Sequence, residues 1–160
     1  MRHLCFIAAL ALLPSVVLAQ EPVTTTEADL VAVPAISADA IVDWRVKRVD
    51  SEGPWLWWEL APGTGGRVVV IRAKAGATVP KRISFQRLEP GPVVGHPEWT
   101  AIATIAPTHR GLRDARPAPG DYVYALAVVR RVSAGPEAFV WQSAAMSKAV
   151  PATVLEPLLA

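Results

Sequence analysis

Few residues in this sequence could take part in catalysis or metal binding, and their spacing matches no catalytic or metal-binding motif. His96 and His109 are far apart in the chain, without the close spacing of a helical or finger-type zinc site. Ser143, His109 and Asp114 could be combined as a serine triad, but no Gly-x-Ser-x-Gly turn exposes the serine. We therefore expect no enzyme activity, no metal and no cofactor.

A group of tryptophans offers the best candidate for binding. Alternate residues of a β-strand share a face, so Trp55 and Trp57 lie on one side of a strand, and Leu56 and Trp58 on the other. Two exposed indole rings about 7 Å apart could stack on a sugar ring or anchor a protein interface. Alternatively, the leader, the C-terminal tail or Trp44 covers them. We take Trp55, Trp57 and Trp44 as the candidate binding surface.

The N-terminal residues predict export. The apolar run Leu4–Leu13 precedes small residues ending at Ala19, as is typical of a secretory signal peptide cleaved at that point. The run has about half of the roughly 20 residues that a membrane-spanning helix needs. Cys5, the one cysteine, lies inside the run, so signal removal leaves no thiol and no disulfide. The sequence predicts a secreted or periplasmic protein with no integral membrane segment after signal removal.

The charges do not favour a nucleic-acid partner. Lysine and arginine number 16 against 14 aspartate and glutamate residues, whereas a nucleic-acid site needs clustered excess positive charge. The nearest approach to such a cluster is Arg45, Lys47 and Arg48, with Arg130 and Arg131 later in the chain. We interpret these side chains as solvated faces of strands.

The elements that must position these residues are strands. The 15 prolines disfavour long helices, and apolar β-branched runs alternate with Pro-Gly turns. We predict a signal peptide over 1–19, a flexible leader over 20–33, a β-domain over 34–150 and a tail over 151–160. We predict a hairpin at Gly63–Gly66. The seven predicted strands are Ile41–Val49, Trp55–Leu60, Arg67–Ala73, Ile83–Leu88, Trp99–Ile105, Tyr122–Val132 and Ala138–Met146.

Two stretches resemble the fibronectin type III family. Leu56-Trp57-Trp58-Glu59-Leu60-Ala61-Pro62 is similar to the second strand of that family, and Pro119-Gly120-Asp121-Tyr122-Val123-Tyr124 is similar to the approach to its sixth strand. The segment Ala75–Trp99 departs from the family pattern. The resemblance implies an all-β, seven-stranded antiparallel immunoglobulin-like sandwich, in which one tyrosine hydrogen-bonds back to the backbone. Its implied core residues are Leu56, Trp58, Tyr122 (the corner tyrosine), Tyr124, Leu126 and Val128.

These observations lead to one expected function and two alternatives. We expect an exported, non-catalytic binding or structural module that mediates protein–protein contact in a cell-envelope or extracellular assembly. The first alternative is a carbohydrate-binding module that uses exposed tryptophans. The second is a subunit or chaperone-like partner that lends or accepts a β-strand, because sheet edges invite strand addition.

Overall fold

The structure, a computed structural model, describes residues 36–115 and 117–156. All regular elements among these residues are β-strands. They are β1 (Ile41–Asp50), β2 (Gly53–Leu60), β3 (Arg67–Lys74), β4 (Ser84–Phe85), β5 (Gly91–Val93), β6 (His96–Ile105), β7 (Gly111–Arg113), β8 (Gly120–Gly135), β9 (Ala138–Met146) and β10 (Val150–Val154). The predicted signal peptide, the leader and the end of the predicted tail lie outside the described residues.

The strands form two antiparallel sheets. The smaller sheet has the order β1-β2-β7, and the larger has the order β4-β9-β8-β3-β6-β5, with β10 paired to the first part of β8. Every strand pair is antiparallel. The predicted all-β, antiparallel class is therefore confirmed. Within the described ranges, no helix is long and apolar enough to cross a membrane.

The strand count differs from the prediction. The seven predicted strands overlap β1, β2, β3, β4, β6, β8 and β9, but the prediction Ile83–Leu88 is reduced to the two residues of β4. The strands β5, β7 and β10 were not predicted. β5 and β7 have three residues each, too few to show a period of two, and β10 contains Pro151, which disfavours a strand. Gly63–Gly66 is not a hairpin, since β2 and β3 belong to different sheets.

One hydrophobic core joins the two sheets. Leu56 and Trp58 of β2 pack in the same buried cluster as Tyr124 and Leu126 of β8. We call this cluster the inter-sheet core; it consists of Leu56, Trp58, Val68, Val70, Tyr122, Tyr124, Leu126, Ala152 and Val154. Val128, which the sequence places on the same face of β8, is buried in an adjacent cluster with Ala40 and Ala145.

A second core lies on the opposite face of the larger sheet. Ala125, Ala127 and Val129 alternate with the inter-sheet residues of β8 and are also fully buried. The second core consists of Val69, Ile71, Ala73, Ile83, Phe85, Val93, Trp99, Ala101, Ala125, Ala127 and Val129. Four of its members come from the segment Ala75–Trp99, so the segment that departs from the family pattern covers this face. Strands buried on both faces are apolar at every position, as β8 is from Tyr122 to Val129.

The larger sheet is nearly closed. Its two end strands, β4 and β5, are separated in the chain by residues 86–90 alone. Such a connection spans at most about 20 Å. The ends of the sheet must therefore curve towards each other, although β4 and β5 are not hydrogen-bonded to one another.

Candidate functional site

On the outer face of the smaller sheet, the tryptophans of β2 lie between arginines of the two flanking strands, β1 and β7. Across the strand pairs, Arg45 is opposite Trp57, and Arg48 is opposite Trp55. On the other side of β2, Trp55 is opposite Arg113 of β7. We call this surface the Trp–Arg face: Arg45, Arg48, Trp55, Trp57 and Arg113.

Arginines cover the indole rings. The guanidinium carbon of Arg45 lies 4.6 Å from the ring centroid of Trp57, and that of Arg113 lies 5.3 Å from Trp55. Both distances are within the range of cation–π attraction. Trp55 and Trp57 are half-buried. Cover by Trp44, by the leader or by the tail was expected from the sequence; among the described residues, the groups over the rings are arginines of β1 and β7.

Asp50 holds two of these arginines in place. Its Oδ2 lies 3.3 Å from Nε of Arg48 and 3.4 Å from Nη2 of Arg113. The side chains of Arg45 and Arg48 remain 61% and 64% exposed, so the face is accessible to a partner. A sugar ring that stacked on the covered side of Trp57 would have to displace Arg45, which weakens the case for a carbohydrate platform.

A β-bulge explains why Arg45 and Arg48 share this face. The register of β1 against β2 shifts between Val46 and Arg48, so Lys47 is the extra residue that restores the alternation. Without the bulge, residues three positions apart would lie on opposite faces. Sequence reasoning missed these arginines as a site because it assumed a regular strand, and it missed Arg113 because β7 was not predicted.

Trp44 does not belong to this surface, which corrects the sequence-based grouping. Trp44 is directly opposite Trp58 in the β1–β2 ladder, and its ring centroid lies 6.1 Å from that of Trp58. Trp58 is fully buried in the inter-sheet core. Because residues paired across a ladder share a face, Trp44 packs on the inner face, opposite to Trp55 and Trp57.

Ser143 and Asp114, two of the three residues considered as a serine triad, are not brought together. Ser143 is paired with Val129 of β8, and its Oγ accepts a hydrogen bond from the backbone N–H of Ile83. Asp114 accepts a hydrogen bond from Tyr124. Tyr124 and Val129 are about 17 Å apart along β8, so Asp114 and Ser143 lie beside distant parts of that strand. No group of three or more potential metal ligands occurs in the described part of the chain.

Asp114 is instead the centre of a buried polar cluster between the sheets. Its Oδ2 accepts hydrogen bonds from Nη1 of Arg72 at 2.6 Å and from the hydroxyl of Tyr124 at 2.7 Å. Burial, together with the hydrogen bond to Asp114, raises the pKa of Tyr124 well above its ordinary value. Burial by itself lowers the pKa of Arg72, but the hydrogen bond and charge of Asp114 outweigh it and raise that pKa. The cluster is therefore a fixed charge pair with a neutral tyrosine.

The predicted structural residues occupy defined positions. Leu56, Trp58, Tyr122, Tyr124, Leu126 and Val128 are all buried. The hydroxyl of Tyr122 donates a hydrogen bond to the carbonyl oxygen of Ala118 at 2.7 Å, four residues upstream. This bond fixes the turn that leads into β8.

Comparison of the chain with protein-family models, with curated proteins and with solved structures finds no match.

Proposed function

We propose that this chain is an exported, non-catalytic module that binds another protein through the Trp–Arg face. The observation that carries the proposal is the pair of tryptophans, Trp55 and Trp57, set between arginines on an accessible sheet face. Tryptophan and arginine are the residues most enriched among interface hot spots. Their rings and guanidinium groups supply apolar area and hydrogen-bond donors in one flat surface.

A fibronectin type III-like architecture is part of the proposal. The hydrogen bond from Tyr122 to the backbone of Ala118 supports it, because a corner tyrosine at the start of the sixth strand is a mark of immunoglobulin-like sandwiches. The packing of a three-stranded sheet against a larger sheet, through the inter-sheet core, also supports it. Folds of this kind serve as binding modules in many unrelated proteins, and the fold alone does not identify what is bound. The proposed binding role therefore depends on the Trp–Arg face.

The proposal that the chain is non-catalytic rests on the side chains that could act as a nucleophile or as its acidic partner. Ser143 Oγ and Asp114 Oδ2 already accept hydrogen bonds from the protein itself. Ser143 lies beside Val129 of β8 and Asp114 beside Tyr124, so the two side chains are too far apart to act on one substrate atom.

The test begins with capture of partners by the full chain from the envelope and secreted fractions of its source cell. The purified partner is then titrated against Trp57→Ala and Phe139→Ala. Phe139 is a matched control, because it is also an exposed aromatic ring with an arginine, Arg131, 4.2 Å from its centroid. Near-UV circular dichroism checks that both variants remain folded.

We expect Trp57→Ala to weaken binding at least about 30-fold, the effect of a hot-spot residue worth about 2 kcal/mol. Phe139→Ala should change binding less than about threefold. The proposal is rejected if no protein is captured, or if the two variants affect binding equally.

A further inference from the structure

The larger sheet has a gap between its two end strands. β4 pairs only with β9, and β5 pairs only with β6. Each therefore has one free edge, and these two edges lie at opposite ends of the strand order. β4 and β5 are not hydrogen-bonded to each other, and residues 86–90 hold them within about 20 Å of one another.

A groove occupies this gap. Its volume is about 580 Å³, and residues 84–87 and 89–92 line it together with Val94 and Val140. Phe85, which is 6% exposed, connects the groove to the second core, whereas Val94 is 75% exposed. A groove of this size with apolar walls is suited to a ligand of several residues.

The two free edges differ in their ability to accept a strand. Pro92 lies in β5 and has no N–H to donate, as is typical of a protected edge. The carbonyl oxygen of Ile83, the residue directly before β4, accepts a hydrogen bond from the backbone N–H of Ser143 in β9. Because alternate residues direct their backbone groups to opposite sides, the N–H and carbonyl groups of Ser84 face the free edge. At the edge of the smaller sheet, the two bulges of β1 interrupt the ladder and disfavour strand addition there.

Positive charge lies on the β4 side of the groove. Lys81 and Arg82, which lead into β4, and Arg87, which lines the groove, are all exposed. The ion pairs among the described residues involve none of the three. Glu89 is the one acidic residue in the lining of the groove. Acidic side chains in a ligand would therefore be attracted to its rim.

We propose that this groove binds an extended segment of a partner protein, in which apolar and acidic side chains alternate, as an added strand along β4. Backbone hydrogen bonds to Ser84 of β4 hold the segment in an extended conformation. One set of its side chains packs against Pro90, Pro92 and Val94, and the alternate set meets Lys81, Arg82 and Arg87. This site is separate from the Trp–Arg face, so the chain can hold two protein segments at once.

The test uses synthetic peptides and the full chain. The probe is a fluorescein-labelled eight-residue peptide with valine at alternate positions and glutamate or threonine between them. One control peptide has lysine in place of glutamate, and a second carries N-methyl groups on alternate backbone nitrogens. Fluorescence anisotropy at low peptide concentration measures binding.

We expect the acidic peptide to bind at least tenfold more tightly than either control peptide. Val94→Glu should weaken its binding at least tenfold, and Val42→Glu, a matched change at a residue 60% exposed on β1, should leave it unchanged. Both variants alter exposed side chains, so both should fold.

Three results would overturn the proposal. They are no binding of the acidic peptide, equal binding of the N-methylated peptide, and equal losses from Val94→Glu and Val42→Glu. Trp57→Ala separates this site from the proposed function, because it should not affect the peptide. A loss of peptide binding in Trp57→Ala would assign the peptide to the Trp–Arg face instead.

Discussion

Arg72 of β3 and Asp114, the residue directly after β7, form an ion pair of 2.6 Å that links the larger sheet to the smaller one. The backbone N–H of Asp114 also donates to the carbonyl oxygen of Pro54 in β2. The carboxylate is 10% exposed, and Asp114 ties the end of β7 to β2 of the same sheet and to β3 of the larger sheet.

Removal of the Asp114 carboxylate should destabilise the fold strongly. We expect Asp114→Ala to lower the free energy of unfolding by about 3 kcal/mol, because Arg72 is left as an uncompensated, partly buried charge. The control is Asp50→Ala, which breaks the more exposed pairs with Arg48 and Arg113 and should cost about 1 kcal/mol or less. Urea denaturation measures both, and equal losses would contradict a special role for the buried pair.

Stability should fall at alkaline pH because of Tyr124. Its pKa is raised in the folded state, so the unfolded chain loses this proton from about pH 10 while the folded chain keeps it. The contribution is complete below pH 10 and decreases by about 1.4 kcal/mol per pH unit above it. We expect the free energy of unfolding of Tyr124→Phe to depend less steeply on pH between 9.5 and 11.5. Parallel curves for the two proteins would refute this linkage.

Two buried tryptophans should respond differently to the same substitution. Trp58 and Trp99 are both fully buried, but Nε1 of Trp99 donates to the carbonyl oxygen of Thr78 at 2.9 Å. Nε1 of Trp58 has no hydrogen-bond partner among the described residues. Both changes to phenylalanine leave a similar cavity, so we expect Trp99→Phe to be the more destabilising by about 2 kcal/mol. Thermal unfolding of the two variants gives the comparison.

Gly65 and Gly66 are adjacent, but they should respond differently to substitution by alanine. Gly66 has a φ of +82°, and a Cβ there would overlap the carbonyl oxygen of Val129. Gly65 has open space at its Cβ position and no positive φ. We expect Gly66→Ala to cost at least about 2 kcal/mol and Gly65→Ala less than about 0.5 kcal/mol. Similar denaturation midpoints would show that the chain can relax around residue 66.

The sequence predicts the long strands well because their residue types carry the signal. Alternation in β2 places Leu56 and Trp58 on the buried face, and the Pro-Gly turn before β8 locates Tyr122 at its start. Short strands such as β7 are formed by pairing with a neighbour that is distant in sequence, so no local pattern identifies them.

The candidate site was predicted in part. The alternation places Trp55 and Trp57 on one outer face, but Arg45, Arg48 and Arg113 reach that face through a bulge and an unpredicted strand. The groove beside β4 depends on the curvature of the whole sheet. Neither the bulge nor the curvature has a local signature in residue types, so tertiary structure is needed to see them.

The burial of β8 on both faces has a consequence for the newly made chain. Tyr122–Val129 is an uninterrupted apolar, β-prone stretch without proline or charge, which is the composition of an aggregation-prone segment when it is unprotected. Its protecting neighbour β3 is distant in sequence, so this pairing forms slowly. Until β3, β9 and β10 have paired with β8, this stretch leaves the newly made chain open to aggregation.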